Sequence, residues 1–228
     1  MGRYWIYPKA AMTDEQLLEV INNQFNVGEE YFKPLDTQIQ YADLEKTLNQ
    51  LISEYKLSEE KLVAWYPYYM TQRYIENQDP KYPDYWYVRL HFSEAFDYNI
   101  NFSADSGALI SWVRVPKGYY DEKEPAAFTT GLNNNTTKHT DEEIVKAAET
   151  YVTNVILKDG VTIAGSKITQ RFDEFNYGGG LISDCKGVYV TVTLSGADVY
   201  RIAVLEDDLS IQRVETQSSI LQSGGDKE

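Results

Sequence analysis

The chain is poor in the groups that carry most protein chemistry. Of its 228 residues one is cysteine, Cys185, and two are histidine, His91 and His139. A single cysteine excludes an internal disulfide and any thiolate-rich metal site. Its expected role is that of a small side chain beside a glycine-rich stretch. No run of about 18 apolar residues occurs, so no segment is long enough to cross a bilayer as a helix. A signal-peptide pattern is also missing, and Met1-Gly2 followed by RYWIYP reads as a start placed after a removed leader. Ile6 stands where a myristoylation pattern needs Ser or Thr. Clusters of cations are absent as well. With 21 Lys and Arg against 35 Asp and Glu, the formal charge is -14 and the pI near 4.6. Such a surface repels phosphate backbones and anionic headgroups, which excludes nucleic acid from the expected partners.

What is present describes a folded protein. Hydrophobic residues make up 43% and charged residues 25%, ordinary values for a globular chain. The length suits one large domain or two of roughly 100 residues. Nineteen tyrosines and the polar stretch NNNTTKHT fit an extracytoplasmic protein, secreted or anchored through a removed N-terminal segment.

The dominant pattern is an internal echo. Tyr87 and Tyr189 each open an alternating run, Tyr98 and Tyr200 each open the next, and both pairs lie 102 residues apart. Val88, Leu90, Phe92, Ile100 and Phe102 recur as Val190, Val192, Leu194, Ile202 and Val204. Alternation at period two buries one face of each strand. Asp105-Ser106-Gly107 and Asp207-Asp208 read as turns before a last apolar strand. Upstream, MTQRY at Met70 to Tyr74 matches ITQRF at Ile168 to Phe172, and the stretch GGGLISDCKG reads as an insertion absorbed by a loop. Further back, Leu44, Leu48, Leu51, Ile52 and Tyr55 are at helical spacing, as are Ile144, Ala148, Tyr151, Val152 and Val155.

An extra helix is expected before the first unit, with Thr13 and Gln16 as a capping box, Met12 and Leu17 as a hydrophobic staple, and Leu17, Ile21 and Phe25 as its apolar face. Thr140 and Glu143 have the same capping spacing, which accounts for the nearby His139 without a metal. The expected organisation is an N-terminal helical extension over 1–40, a first α+β unit over 41–116, a linker over 117–138, a second unit over 139–217 and a tail over 218–228. The fold class this predicts is α+β. It consists of two tandem repeats, each a helix packed on an antiparallel sheet of about four strands, plus the N-terminal helix.

The pattern of a capped helix, Y-x-V and Y-x-I strands, an Asp turn and a last apolar strand resembles the PepSY family and its cystatin-like relatives. Tyr189 to Leu194, Tyr200 to Val204, Asp207 and Leu209 to Val214 carry the resemblance. So do Tyr87 to Phe102, Asp105 and Leu109 to Val113. The family's D-x-x-T-G-E turn reads here as Asp105-Ser106-Gly107-Ala108 and as Asp207-Asp208-Leu209. The resemblance implies a noncatalytic, exported or membrane-anchored bacterial domain that restrains or escorts a peptidase. No inhibitory residue is carried over.

No catalytic residue, metal ligand or cofactor is expected. Nucleophilic catalysis needs a base held by an orienting carboxylate, and His91 falls at an alternate, outward strand position. G-x-S-x-G, P-loop and G-x-G-x-x-G fingerprints are missing, and YGGGL at Tyr177 to Leu181 lacks a phosphate cradle's lysine and so reads as a loop. Glu206, Asp207 and Asp208 lack EF-hand spacing and read as a solvated turn. Arg73 and Arg171 recur in matching strands and are expected to pair with carboxylates across the sheet.

The remaining candidate site is aromatic. Between Ala64 and Val88 the chain concentrates Trp65, Tyr66, Tyr68, Tyr69, Tyr74, Tyr82, Tyr85, Trp86 and Tyr87 around prolines, with Arg73 among them; the binding candidates are Trp65, Tyr66, Tyr68, Tyr69, Arg73, Tyr82, Tyr85 and Trp86. Strand alternation leaves some of these outside, as an amphipathic surface suited to peptide or sugar. Three functions follow. The first is a binding or regulatory module for a protein or peptide of the cell envelope. The alternative is a carbohydrate-binding module that stacks the same rings on polysaccharide. The third is a hydrolase with paired carboxylates, for which no pair is brought together by the sequence.

Overall fold

The computed structural model describes residues 34–71, 83–93, 96–116, 139–178 and 181–217. The expected N-terminal helix, the linker and the tail lie outside these residues. The chain divides into two compact units, Met1–Ser93 with Asn99–Ile110, and Glu94–Tyr98 with Ser111–Glu228.

In the first unit a single 3-10 turn, Tyr41–Asp43, leads into helix α1, Leu44–Glu54. Leu44, Leu48 and Leu51, spaced four and three residues apart, are its buried stripe. Strands β1, Leu62–Met70, and β2, Tyr85–Phe92, pair antiparallel. Strands β3, Phe96–Ser103, and β4, Leu109–Pro116, follow, and only Asn99–Ser103 and Leu109–Ile110 of them belong to this unit. Alternation is cleanest in β2, where Trp86, Val88, Leu90 and Phe92 are buried and the residues between them are half-buried.

In the second unit helix α2, Asp141–Tyr151, starts with the capping box read from the sequence. The Glu143 backbone N–H donates to Thr140 Oγ1 at 3.3 Å, and the Thr140 backbone N–H donates to the Glu143 carboxylate at 2.8 Å. The helix ends in a π-helical turn, Val152–Ile156. Ile144, Ala148 and Val152 face β5, Ile163–Gly178, β6, Leu181–Leu194, and β7, Val199–Leu205. Strand β8, Ile211–Thr216, completes the set and sets Ser111, Trp112 and Val113 of β4 opposite Glu215, Val214 and Arg213.

That last pairing corrects the expected fold class. The eight strands follow one hydrogen-bonded order, β1-β2-β3-β4-β8-β7-β6-β5. The protein is largely β, a single antiparallel sheet with two short helices among the described residues, and not two helix-on-sheet repeats. The sequence pattern reports which residues of a strand are buried, but the partner of its outer edge leaves no mark in that alternation. A second correction concerns GGGLISDCKG. It forms no inserted loop, because β6 already begins at Leu181 and pairs with β5 as far as Gly178. The extended part of this hairpin builds its own cluster on the face away from α2. There Phe175, Tyr177 and the thiol-bearing Cys185 pack with Val113, Val115, Tyr189, Ala203 and Leu205. Phe172 closes the cluster against Phe175 and Tyr189, with ring centroids 5.3 and 5.4 Å away.

Candidate functional site

Strands β1 and β2 sort the aromatic residues by register. Trp65, Pro67 and Tyr69 lie opposite Leu90, Val88 and Trp86, while Tyr66, Tyr68 and Met70 lie opposite Arg89, Tyr87 and Tyr85. Directly opposed residues share a face. The first set is therefore the inner face and the second the outer one. Pro67 fits here because β1 ends the strand order, where a missing N–H costs no ladder bond. A register shift at Val63 sets the phase of the strand, and its side chain is 47% exposed.

The inner set is structural. Trp65 and Tyr69 are 5% exposed and Trp86 is fully buried. Trp65 stacks on Tyr41 at 5.5 Å and Tyr69 meets Trp86 edge-on at 5.3 Å. The indole N–H of Trp86 donates to the Ile39 carbonyl at 3.0 Å. The Tyr69 hydroxyl lies 2.6 Å from Gln38 Oε1 and 2.7 Å from Asp84 Oδ2. Gln38 Nε2 in turn donates to Asp84 and to Asp105, at 3.2 and 3.0 Å. These polar tips anchor the segment that leads into α1, an outcome in keeping with the need of a buried tyrosine or tryptophan for a partner.

The outer set is arranged differently. Tyr68 and Tyr87 place their rings 5.6 Å apart at a 40° tilt, and both remain partly exposed. The Arg89 guanidinium stands 5.5 Å from the Tyr66 ring centre, within cation–π reach. Tyr85 is half-buried opposite Met70, which is 40% exposed.

Of the sequence candidates, Tyr66, Tyr68 and Tyr85 thus share the outer face, where Tyr66 is buried and Tyr68 and Tyr85 are half-buried; Trp65, Tyr69 and Trp86 share the inner one, and Arg73 and Tyr82 lie outside the described residues. Tyr87, named within the aromatic stretch but not among the binding candidates, belongs with the outer group, as do Arg89 and Met70, which the sequence reading did not single out for it. The period-two spacing of Tyr85, Tyr87 and Arg89 was the signal that could have found Arg89.

The other singled-out groups are placed as follows. His91 is half-buried opposite Ala64. His139 Nδ1 is 3.4 Å from the Glu143 carboxylate at the start of α2. The Thr140 backbone bond, ahead of the His139 contact, holds the Glu143 pKa below its ordinary value of 4.5. Arg171 pairs with both oxygens of Asp141 at 2.7 Å and with Glu206 at 3.3 Å, and Asp141 first and Glu206 after it raise its pKa further. Arg171 thus has carboxylate partners, but not across the sheet as expected: Asp141 opens the helix and Glu206 lies in the turn after β7. Asp208 accepts the Ser210 backbone N–H at 2.8 Å, which closes the turn. Among the described residues no group of three or more His, Cys, Asp or Glu side chains is disposed to hold a metal ion, and no helix is long and apolar enough to cross a membrane.

No family model, curated protein or solved structure matches the chain.

Proposed function

We propose that the protein is a noncatalytic, extracytoplasmic binding module whose contact surface is the outer face of β1 and β2. The observation that carries this reading is the sorting of aromatic residues. Trp65, Tyr69 and Trp86 complete the inner packing, whereas Tyr68, Tyr85 and Tyr87 remain partly exposed beside Met70. Rings with polar tips, next to a guanidinium and a thioether, supply contact area at low entropic cost and suit a polypeptide partner. A protein or peptide of the cell envelope is the partner class. Sugar stacking is served by a flat exposed ring face, and the 40° tilt between Tyr68 and Tyr87 gives these two no common plane.

The test is a pair of double substitutions. Tyr68→Ala with Tyr85→Ala should leave the melting curve within a few degrees of the parent while abolishing capture of a defined band from a cell-envelope extract. Trp65→Ala with Trp86→Ala should unfold the chain. An unchanged capture profile for the Tyr68/Tyr85 variant removes the assignment, and saturable binding to a polysaccharide panel replaces the partner class with carbohydrate.

A further inference from the structure

The register that sorts the aromatic residues also sets two phenols against each other. Tyr68 of β1 and Tyr87 of β2 are directly opposed, and their ring centroids lie 5.6 Å apart at a 40° tilt. Both residues are half-buried, so each ring keeps part of its surface open to solvent. Residues facing each other across an antiparallel pair hold their Cβ atoms about 4.5–5.5 Å apart and cannot separate without breaking the ladder. The contact is thus built into the backbone and does not depend on a chance meeting of two surface side chains.

One-electron oxidation gives such a contact a chemistry. A phenol that loses an electron and a proton becomes a phenoxyl radical, whose unpaired spin spreads to the ring carbons beside the oxygen-bearing one. Two such radicals held in contact join through those carbons. The hydrogen on each joined carbon then moves to the oxygen and restores both phenols, so the pair has lost two hydrogens in all. Holding the rings in place replaces a bimolecular encounter with an intramolecular step. The neighbouring tyrosines are disposed otherwise. Tyr69 turns inward, is 5% exposed and has its hydroxyl engaged with Gln38 and Asp84. Tyr85 lies opposite Met70 and Tyr66 opposite Arg89, so neither faces a second phenol across this ladder.

We propose that Tyr68 and Tyr87 are a modification site, joined by a dityrosine bond between β1 and β2 when a haem peroxidase and hydrogen peroxide supply the oxidant. The peroxide takes up the two electrons and two protons and leaves as two molecules of water, which balances the step. The bond links residues 19 apart in the chain and staples β1, the strand that ends the sheet order, to its neighbour. A cross-link of this kind restricts the unfolded chain and so raises the melting temperature. The inference rests on the strand register alone and not on the partner proposed above.

Limited oxidation of the intact chain tests it. A haem peroxidase with one equivalent of hydrogen peroxide should give a monomer with dityrosine fluorescence that melts several degrees above the untreated protein. Trypsin should then release residues 62–73 joined to residues 82–89, lighter than their sum by two hydrogens, with fragment ions placing the bond at Tyr68 and Tyr87. Peroxide without the peroxidase should add oxygen at Met70, whose thioether side chain is 40% exposed, and join nothing. Tyr68→Phe and Tyr87→Phe should each lower the yield of joined peptides at least about tenfold, whereas Tyr200→Phe, in the other unit, should not change it. Joined peptides that survive either of the first two substitutions, a bond at other tyrosines, or coupling only between two chains would overturn the proposal. So would a monomer whose tyrosines are oxidised without joining. Capture of an envelope protein by a chain that does not couple would strike this inference and leave the binding reading standing, and coupling without capture would do the reverse.

Discussion

Single residues decide how closely the strands of the second unit approach. Gly187 faces Phe172 across β5 and β6, and a Cβ there would meet Phe172 Cζ at 2.4 Å and the Val204 carbonyl oxygen at 2.5 Å. The ring could turn, but the carbonyl belongs to the sheet. Gly187→Ala is therefore expected to destabilise the protein by about 1–3 kcal/mol in urea unfolding, despite alanine's better strand propensity. A cost below a few tenths would show that the hairpin can move off β7. The capping box gives a prediction in pH. Because the Glu143 pKa is lowered in the folded state, its contribution is fully present above the unfolded value and is lost as pH falls through the folded one. The window therefore lies below about 4.5. Glu143→Gln should make α2 helicity flatter with pH through the carboxylate range, and an identical acid limb in parent and variant would remove the effect.

At the scale of elements, β5 shows how faces are reassigned without any change in composition. Ile168 lies opposite Val190 and Arg171 opposite Val188, so both point toward α2 although three residues separate them. The register shift at Thr169 accounts for this, and its hydroxyl reaches the Tyr189 carbonyl at 3.3 Å and the Thr191 hydroxyl at 3.1 Å. Deleting Thr169 should turn Arg171 away from Asp141 and Phe172 off the Tyr189 cluster. The expected loss is at least about 2 kcal/mol, against about 1 kcal/mol or less for Arg171→Ala, whose ion pair is solvent-exposed. Equal costs for the two changes would mean that the bulge does not set the faces.

Bulges also mark the limit of what the sequence discloses. The stripes of α1 and α2, the capping box and the alternation of β2 and β6 were legible, because local burial imposes a period. Three things were not. The pairing of β4 with β8 is a choice of partner. The hairpin reaching to Gly178 hides behind glycines that read as a loop. The division of Trp65, Tyr66, Tyr68 and Tyr69 into two faces needed the phase of β1, which the bulge at Val63 sets.

For the whole molecule, an acidic chain carries an aromatic face on β1 and β2 with Arg89 beside it. The proposed binding function rests on one physical claim: the strand register of β1 and β2 turns Trp65, Tyr69 and Trp86 inward as scaffold and leaves Tyr68, Tyr85 and Tyr87 outward as contact surface. Hydroxyl-radical footprinting read by mass spectrometry measures this residue by residue in the intact protein. The account predicts that Tyr68, Tyr85 and Tyr87 are oxidised readily while Tyr69, Trp65 and Trp86 are protected until the protein unfolds. Protection of Tyr68 and Tyr87 equal to that of Tyr69, or ready oxidation of Trp65 and Trp86 in the folded chain, would contradict it.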